Sequence, residues 1–210
     1  MLESQRNILV KICGLTDGSE VWETVSAGPD ALGFNFWPKS PRAVSAEAVA
    51  AWGRDVPEGI LKVGVFVDKP VEFVRETVGS AGLDVAQLHG SETAAYIREL
   101  GEVRVWKALH LDRLPEGWEA LPVERFLVDS GTVEMPGGTG VRVDTARAKA
   151  FVARSPLPVL LAGGLNPDNV GGAVAEVRPA GVDVSSGVEH APGRKDMDAV
   201  RRFIRNARGG

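Results

Sequence analysis

The chain has 210 residues, 44% of them hydrophobic, and carries 24 basic against 28 acidic side chains for a formal net charge of -4. That length is enough for one full α/β core, and the mild acidity, with no basic tract or interleaved basic-aromatic face, argues against a nucleic-acid partner. Nowhere do eighteen apolar residues run together, so no membrane span is expected, and the polar stretch 1–7 lacks the apolar core of a signal peptide.

Short runs rich in Val, Ile and Leu recur along the chain, each leading into a segment of different character. The first, 8–13, ends at Cys13, and Asp17 then caps a helix through Ala27. A run at 31–36 precedes a helix from Ser45 through Trp52, and a run at 61–67 precedes a helix that Pro70 opens and that reaches Val78. The run 84–88 is followed by a helix after Ser91 through Leu100. After 104–109 comes only a weak helix near 114–121, interrupted by Pro115, Gly117 and Pro122. The run 125–129 leads into 133–140, where Pro136, Gly137, Gly138 and Gly140 make the most flexible-looking connection, and then into a helix from Asp144 through Val152. The last two runs, 158–162 and 181–184, precede helices from Pro167 through Val174 and from Asp196 through Arg205.

Most of these runs are continuously apolar, the mark of strands buried on both faces, as in a parallel sheet. Eight strands alternating with eight helices, without a composition break, predict an α/β chain forming a single (βα)8 TIM barrel over 1–210. An open doubly wound sheet fits less well, because no Gly-x-Gly-x-x-Gly follows the first strand.

In such a barrel the strand exits converge on one mouth, so exit residues are the candidates for chemistry. Cys13 is the only cysteine. It makes no internal disulfide and fits a reducing, cytoplasmic compartment; it is either a packed core thiol or a base, nucleophile or ligand facing a cleft. The second exit gives Asn35 and the loop Ser40-Pro41-Arg42, where Arg42 either aims at a carboxylate or is a solvated charge. Asp68 and His89 follow, His89 touching a ligand or simply satisfied at a strand end. Asp129 closes the apolar run Phe126-Leu127-Val128, and acts as an acid with a raised pKa or caps a turn. Gly163 and Gly164 after the seventh strand, with Ser186 and Gly187 after the eighth, let backbone N–H groups approach an anion, which points to phosphate, and a following helix turn adds its dipole. Gly138 and Gly140 follow the sixth strand and so lie on the same active face. Lys11 and Lys107 point inward and pair with carboxylates; Trp22, Trp52 and Trp118 pack helices, whereas Trp37 lines the mouth. No metal-ligand spacing is present, so no metal is expected.

Taken together, Lys11-Ile12-Cys13-Gly14, Gly33-Phe34-Asn35-Phe36 with Ser40-Pro41-Arg42, Val63 to Val67, Gln87-Leu88-His89-Gly90, Gly138-Thr139-Gly140, Leu161 to Leu165 with Asn169-Val170, and Asp183 to Glu189 with Pro192-Gly193 and Lys195-Asp196 resemble phosphoribosylanthranilate isomerase, over nearly the whole chain and in order. Gly140 to Thr145 departs from the pattern, lacking aromatic residues around its aspartate. The resemblance implies an Amadori rearrangement in tryptophan biosynthesis. Asp129 then matches the general acid that opens the furanose and Cys13 the general base that removes the C2 proton, its thiolate tuned near neutrality by positive neighbours. Arg42 matches the residue holding the anthranilate carboxylate, and Asp183 contacts a ribose hydroxyl. No cofactor is implied. The expected partner is the small phosphosugar-anthranilate substrate, with the protein a monomer or a homodimer.

Other phosphosugar barrels fit less well. A histidine-pathway isomerase is expected to place a carboxylate where Cys13 stands, and a pentose-phosphate epimerase needs metal-binding histidines. A silent phosphate-binding barrel is opposed by the presence of both Cys13 and Asp129.

Overall fold

A computed structural model describes residues 8–129 and 144–210. Eight parallel strands close into a barrel: β1 Leu9–Cys13, β2 Ala31–Asn35, β3 Leu61–Phe66, β4 Val85–Leu88, β5 Val105–His110, β6 Arg125–Asp129, β7 Val159–Ala162 and β8 Gly181–Val184. Each pairs with the next, and β8 returns to β1 with Lys11 opposite Asp183. The eight predicted runs are these strands, trimmed by a residue or so at their ends.

Alternation along the strands sorts the side chains. Outward residues such as Val10, Ile12, Val182 and Val184 pack on Val170, Val200 and Phe203 of the surrounding helices. Inward residues, among them Ala31, Val63, Val85, Trp106, Leu127 and Leu160, fill the barrel. The same period carries Lys11 and Cys13 inward with Leu9. Lys107, flanked in register by the outward Leu88 and Phe126, faces the helix layer instead. The expectation that it points into the barrel is therefore corrected, because it stands one residue out of phase with Trp106 and Ala108. It does pair with a carboxylate: its ammonium is 3.1 Å from Glu92 and also donates to the carbonyls of Leu88, Gly90 and Ala108.

The helices among the described residues number seven rather than eight: α1 Gly18–Ser26, α2 Ala46–Gly53, α3 Val71–Ser80, α4 Ala94–Glu99, α5 Thr145–Arg154, α6 Val170–Val177 and α7 Met197–Ala207. Asp17, Ser45, Asp144 and Asp196 cap their helices by accepting from amides of the first turn. Two starts move inward: Thr93 rather than Ser91 caps α4, and α6 begins at Val170, after Asn169. Between β5 and β6 only a 3₁₀ turn, Trp118–Ala120, forms; Pro115 and Pro122 bound it and Gly117 enters it at φ 67°. Trp118 covers this side of the barrel together with Leu114, Leu121 and Val123, its ring 4.5 Å from Phe151 and 5.2 Å from Phe126. Trp22, expected to pack, is 40% exposed, since α1 turns Val21 and Thr24 to the core instead. After β8 the chain adds a 3₁₀ turn, Ser186–Val188, and a small hairpin, β9 Glu189–Ala191 with β10 Arg194–Lys195, before α7. The hairpin is absent from the sequence reading. No helix among the described residues is long and apolar enough to cross a membrane.

Because Trp118 is buried among Phe126, Phe151 and these aliphatic side chains, Trp118→Ala should cost about 3–5 kcal/mol in urea unfolding. A loss below about 1 kcal/mol would show that the neighbouring rings close the gap by themselves.

Candidate active site

Parallel strands in a closed barrel deliver their C-termini to one end, so Cys13, Asn35, His110, Asp129 and Ala162 all sit at the same mouth. The register aligns them: Asp129 lies beside His110 on one side and Ala162 on the other. Cys13 lies beside Gly33. Asn35 spends its side-chain oxygen on the amide of Trp37, fixing the turn that leads to Arg42. Trp37 is half-buried beside that turn.

Beneath the mouth, Lys11 and Asp183 face each other where β8 closes on β1. The Lys11 ammonium is fully buried and donates to Asp183 Oδ1 at 2.7 Å. Burial disfavours its charge, but Asp183 and the Cys13 sulfur outweigh that and hold its pKa above the ordinary lysine value. Cys13 is buried, with only 9% of its surface exposed. Burial pushes its thiol up, and Lys11, the strongest opposing influence, does not fully offset this. The expectation of a thiolate tuned near neutrality by positive neighbours is thus corrected for the unliganded site, because a low-dielectric surround disfavours the anion and Asp183 adds to that.

His89, just beyond β4, packs its ring 5.8 Å from that of His110 and interacts electrostatically with Asp129 and Asp183. Burial drives its pKa down, against the opposing pull of Asp129. His89 therefore bridges the acid side of the mouth to the Lys11–Asp183 pair. His110, which the sequence reading passed over, has a buried Nδ1 with no hydrogen-bond partner among the described residues.

Arg42 is neither solvated nor waiting empty. It is 17% exposed and makes a two-pronged contact with Glu189, Nε to Oε1 at 2.8 Å and Nη2 to Oε2 at 2.6 Å. Glu189 Oε1 also accepts from Lys195 at 2.6 Å, and Lys195 donates to the carbonyl of Cys13 at 2.6 Å. Glu189 and Lys195 lie in segments that carry the resemblance, but nothing in the sequence gives either of them a role. Only the hairpin, which folds β10 back beneath Arg42, brings them to the site.

The glycine turns lie where an anion site needs them. Gly163 and Gly164 adopt φ of 82° and 65°, a left-handed pair that side chains resist. A Cβ on Gly187 would collide with the carbonyl of Leu165, so the β7 and β8 loops touch backbone to backbone. Among the described residues, the amides of Gly164, Ser186 and Gly187 have no protein acceptor. The helix turn expected behind them is the single 3₁₀ turn Ser186–Val188, so an anion there would meet the amides of its first residues. Gly138 and Gly140 lie outside the described residues. Asp68 serves structure, its carboxylate accepting from the Ser91 amide at 2.7 Å to join two loops.

Fold and site define a (βα)8-barrel protein whose ionisable groups and glycine turns gather at the C-terminal mouth. The family model described as N-(5'-phosphoribosyl)anthranilate (PRA) isomerase matches residues 10–206. The N-(5'-phosphoribosyl)anthranilate isomerase of Geobacter sp. (strain M21) is 48% identical over 202 residues, 95% of this chain and 97% of that protein. Phosphoribosyl anthranilate isomerase from Thermotoga maritima superposes with a TM-score of 0.86 at 36% identity, covering 97% of this chain and all of that one. A crystal structure of this isomerase in complex with reduced 1-(o-carboxyphenylamino)-1-deoxyribulose 5-phosphate superposes at 0.83, with 34% identity over 97% of this chain and 100% of that one. The chain belongs to the N-(5'-phosphoribosyl)anthranilate isomerase family.

Glu189 gives the site a pH signature. Burial pushes its pKa up, but hydrogen bonds and charge from Arg42 and Lys195 pull it below the ordinary value of 4.5. A carboxylate with a depressed folded pKa contributes stability that is fully present above the unfolded value and lost as pH falls through the folded one. Wild type should therefore be more stable than Glu189→Gln at neutral pH, and that advantage should shrink only below about pH 4.5. Unfolding curves with a pH-independent gap would remove the charge from the account.

Proposed function

We propose that the chain catalyses the Amadori rearrangement of N-(5'-phosphoribosyl)anthranilate to 1-(2-carboxyphenylamino)-1-deoxyribulose 5-phosphate, a step of tryptophan biosynthesis. Its partner is that small molecule, with no nucleic acid, membrane or cofactor, and it acts in the cytoplasm as a monomer or homodimer. The observation that carries the reading is the placement of Cys13 and Asp129 at the ends of β1 and β6 of one closed barrel, with His89, Asp183 and Lys11 between them.

The chemistry follows from that placement. Asp129 donates a proton to the ring oxygen as the C1–O bond breaks, leaving an open-chain iminium. The Cys13 sulfur then removes the C2 proton, and the electron pair moves towards the iminium nitrogen to give an enolamine. Tautomerisation of the C2 enol yields the ketone. The imine is the only electron sink required. Amides of Gly163, Gly164, Ser186 and Gly187 hold the phosphate, and Gly138 and Gly140 join them. His89 lines the sugar beside Asp129, and Asp183 offers its second oxygen to a ribose hydroxyl.

Arg42 receives the anthranilate carboxylate. Glu189 holds its Nε and Nη2, which fixes the guanidinium in place and leaves Nη1 for the substrate carboxylate.

Loss of the fluorescence of phosphoribosylanthranilate on rearrangement gives the assay. Cys13→Ala and Asp129→Asn should each lower kcat by roughly 10²–10⁴, about 3–5 kcal/mol, with the fold kept. Near-wild-type turnover in either variant removes that residue from the mechanism. Arg42→Ala should act largely through KM, and an unchanged kcat/KM would rule out carboxylate contact.

A further inference from the structure

Lys11 is completely buried, and the reaction as written gives it no step. It leaves the same face of β1 as Cys13, two residues earlier, and the two side chains converge over Gly33, the β2 residue paired with Cys13. A Cβ added to Gly33 would stand 2.7 Å from the Cys13 sulfur and 2.9 Å from the Lys11 ammonium nitrogen. No more than the sum of those two distances separates sulfur from nitrogen. Any side chain at position 33 would push them apart. On its other side the ammonium is fixed by Asp183 at 2.7 Å.

We propose that Lys11 is a positioning residue for Cys13: its ammonium, anchored by Asp183, supplies the fixed positive charge against which the Cys13 sulfur works as a base. The proposal rests on the reading of Cys13 as that base and adds the group that makes a buried sulfur serviceable.

Four charged groups face the sulfur: Lys11 from its own strand, Asp183 from β8, Lys195 from β10 and Arg42 from the loop after β2. Lys195 and Arg42 are both committed to Glu189, and Lys195 bonds the Cys13 carbonyl. That leaves Lys11 as the principal favourable charge and Asp183 as the opposing one, in line with their opposite pulls on the thiol. Asp183 thereby does two things at once. It keeps Lys11 charged, and it moderates how strongly that charge acidifies the sulfur.

The arrangement has a signature that a merely structural pair lacks. Cys13 is the only cysteine, so thiolate ultraviolet absorbance in the full, unliganded chain reports a single group. The only tyrosine, Tyr96, is pushed up to about 12 by burial and surrounding carboxylates and stays silent below that range. Titration of Lys11→Met should place the midpoint of thiolate formation above that of wild type, whereas loss of a merely structural lysine would leave it unmoved. An unchanged or lowered midpoint in folded Lys11→Met overturns the proposal. Should Lys11→Met fail to fold by circular dichroism, Lys11→Gln decides in its place by the same two outcomes. In turnover, Lys11→Met should lose kcat by about tenfold or more with KM little changed. A raised midpoint combined with a fully active Cys13→Ala would leave the Lys11–Cys13 coupling standing and remove the base assignment instead.

Discussion

The Lys11–Asp183 pair sits where β8 closes on β1, and the mouth is built on top of it. An ammonium and a carboxylate in that position are costly to bury, and the cost is offset only because they meet at 2.7 Å. Packing alone would have been served as well by two aliphatic side chains. The register that sets Lys11 against Asp183 also sets Cys13 directly above, so the charge that helps to close the barrel also shapes the sulfur's surroundings.

From that pair, polarity spreads in two directions. Through Asp183 it reaches His89 and Asp129 on the far side of the mouth. Through the carbonyl of Cys13 it reaches Lys195, Glu189 and Arg42. The second branch ties the loop after β2 to the hairpin after β8, so Arg42 is aimed by fixed partners rather than by its own flexible stem. A guanidinium already gripped by a carboxylate is preorganised for another carboxylate, which limits the side-chain entropy lost on binding.

Much of this was legible in the sequence, for physical reasons. Continuous Val-, Ile- and Leu-rich runs report burial on both faces, which only a parallel sheet with a helix layer satisfies, so all eight strands could be placed. Caps such as Asp17, Ser45 and Asp196 act locally and were equally visible. What could not be read depends on long-range geometry. The prolines mark the segment between β5 and β6 as weak, but that it settles as a 3₁₀ turn depends on Trp118 packing against Phe151, a ring far along the chain. The phase of Lys107 is a matter of one residue in strand register. Glu189 and Lys195 matter only because a hairpin returns them to Arg42, and the fate of the Cys13 thiol depends on burial competing with charge, which no spacing reveals.

If sulfur and carboxyl act from opposite sides on a sugar held by its phosphate, a crystal structure of this chain with reduced 1-(o-carboxyphenylamino)-1-deoxyribulose 5-phosphate should show it. The phosphate should lie against the amides of Gly164, Ser186 and Gly187, with C2 within reach of the Cys13 sulfur and Asp129 on the other side. A phosphate bound elsewhere, or a C2 that faces away from the sulfur, would contradict it.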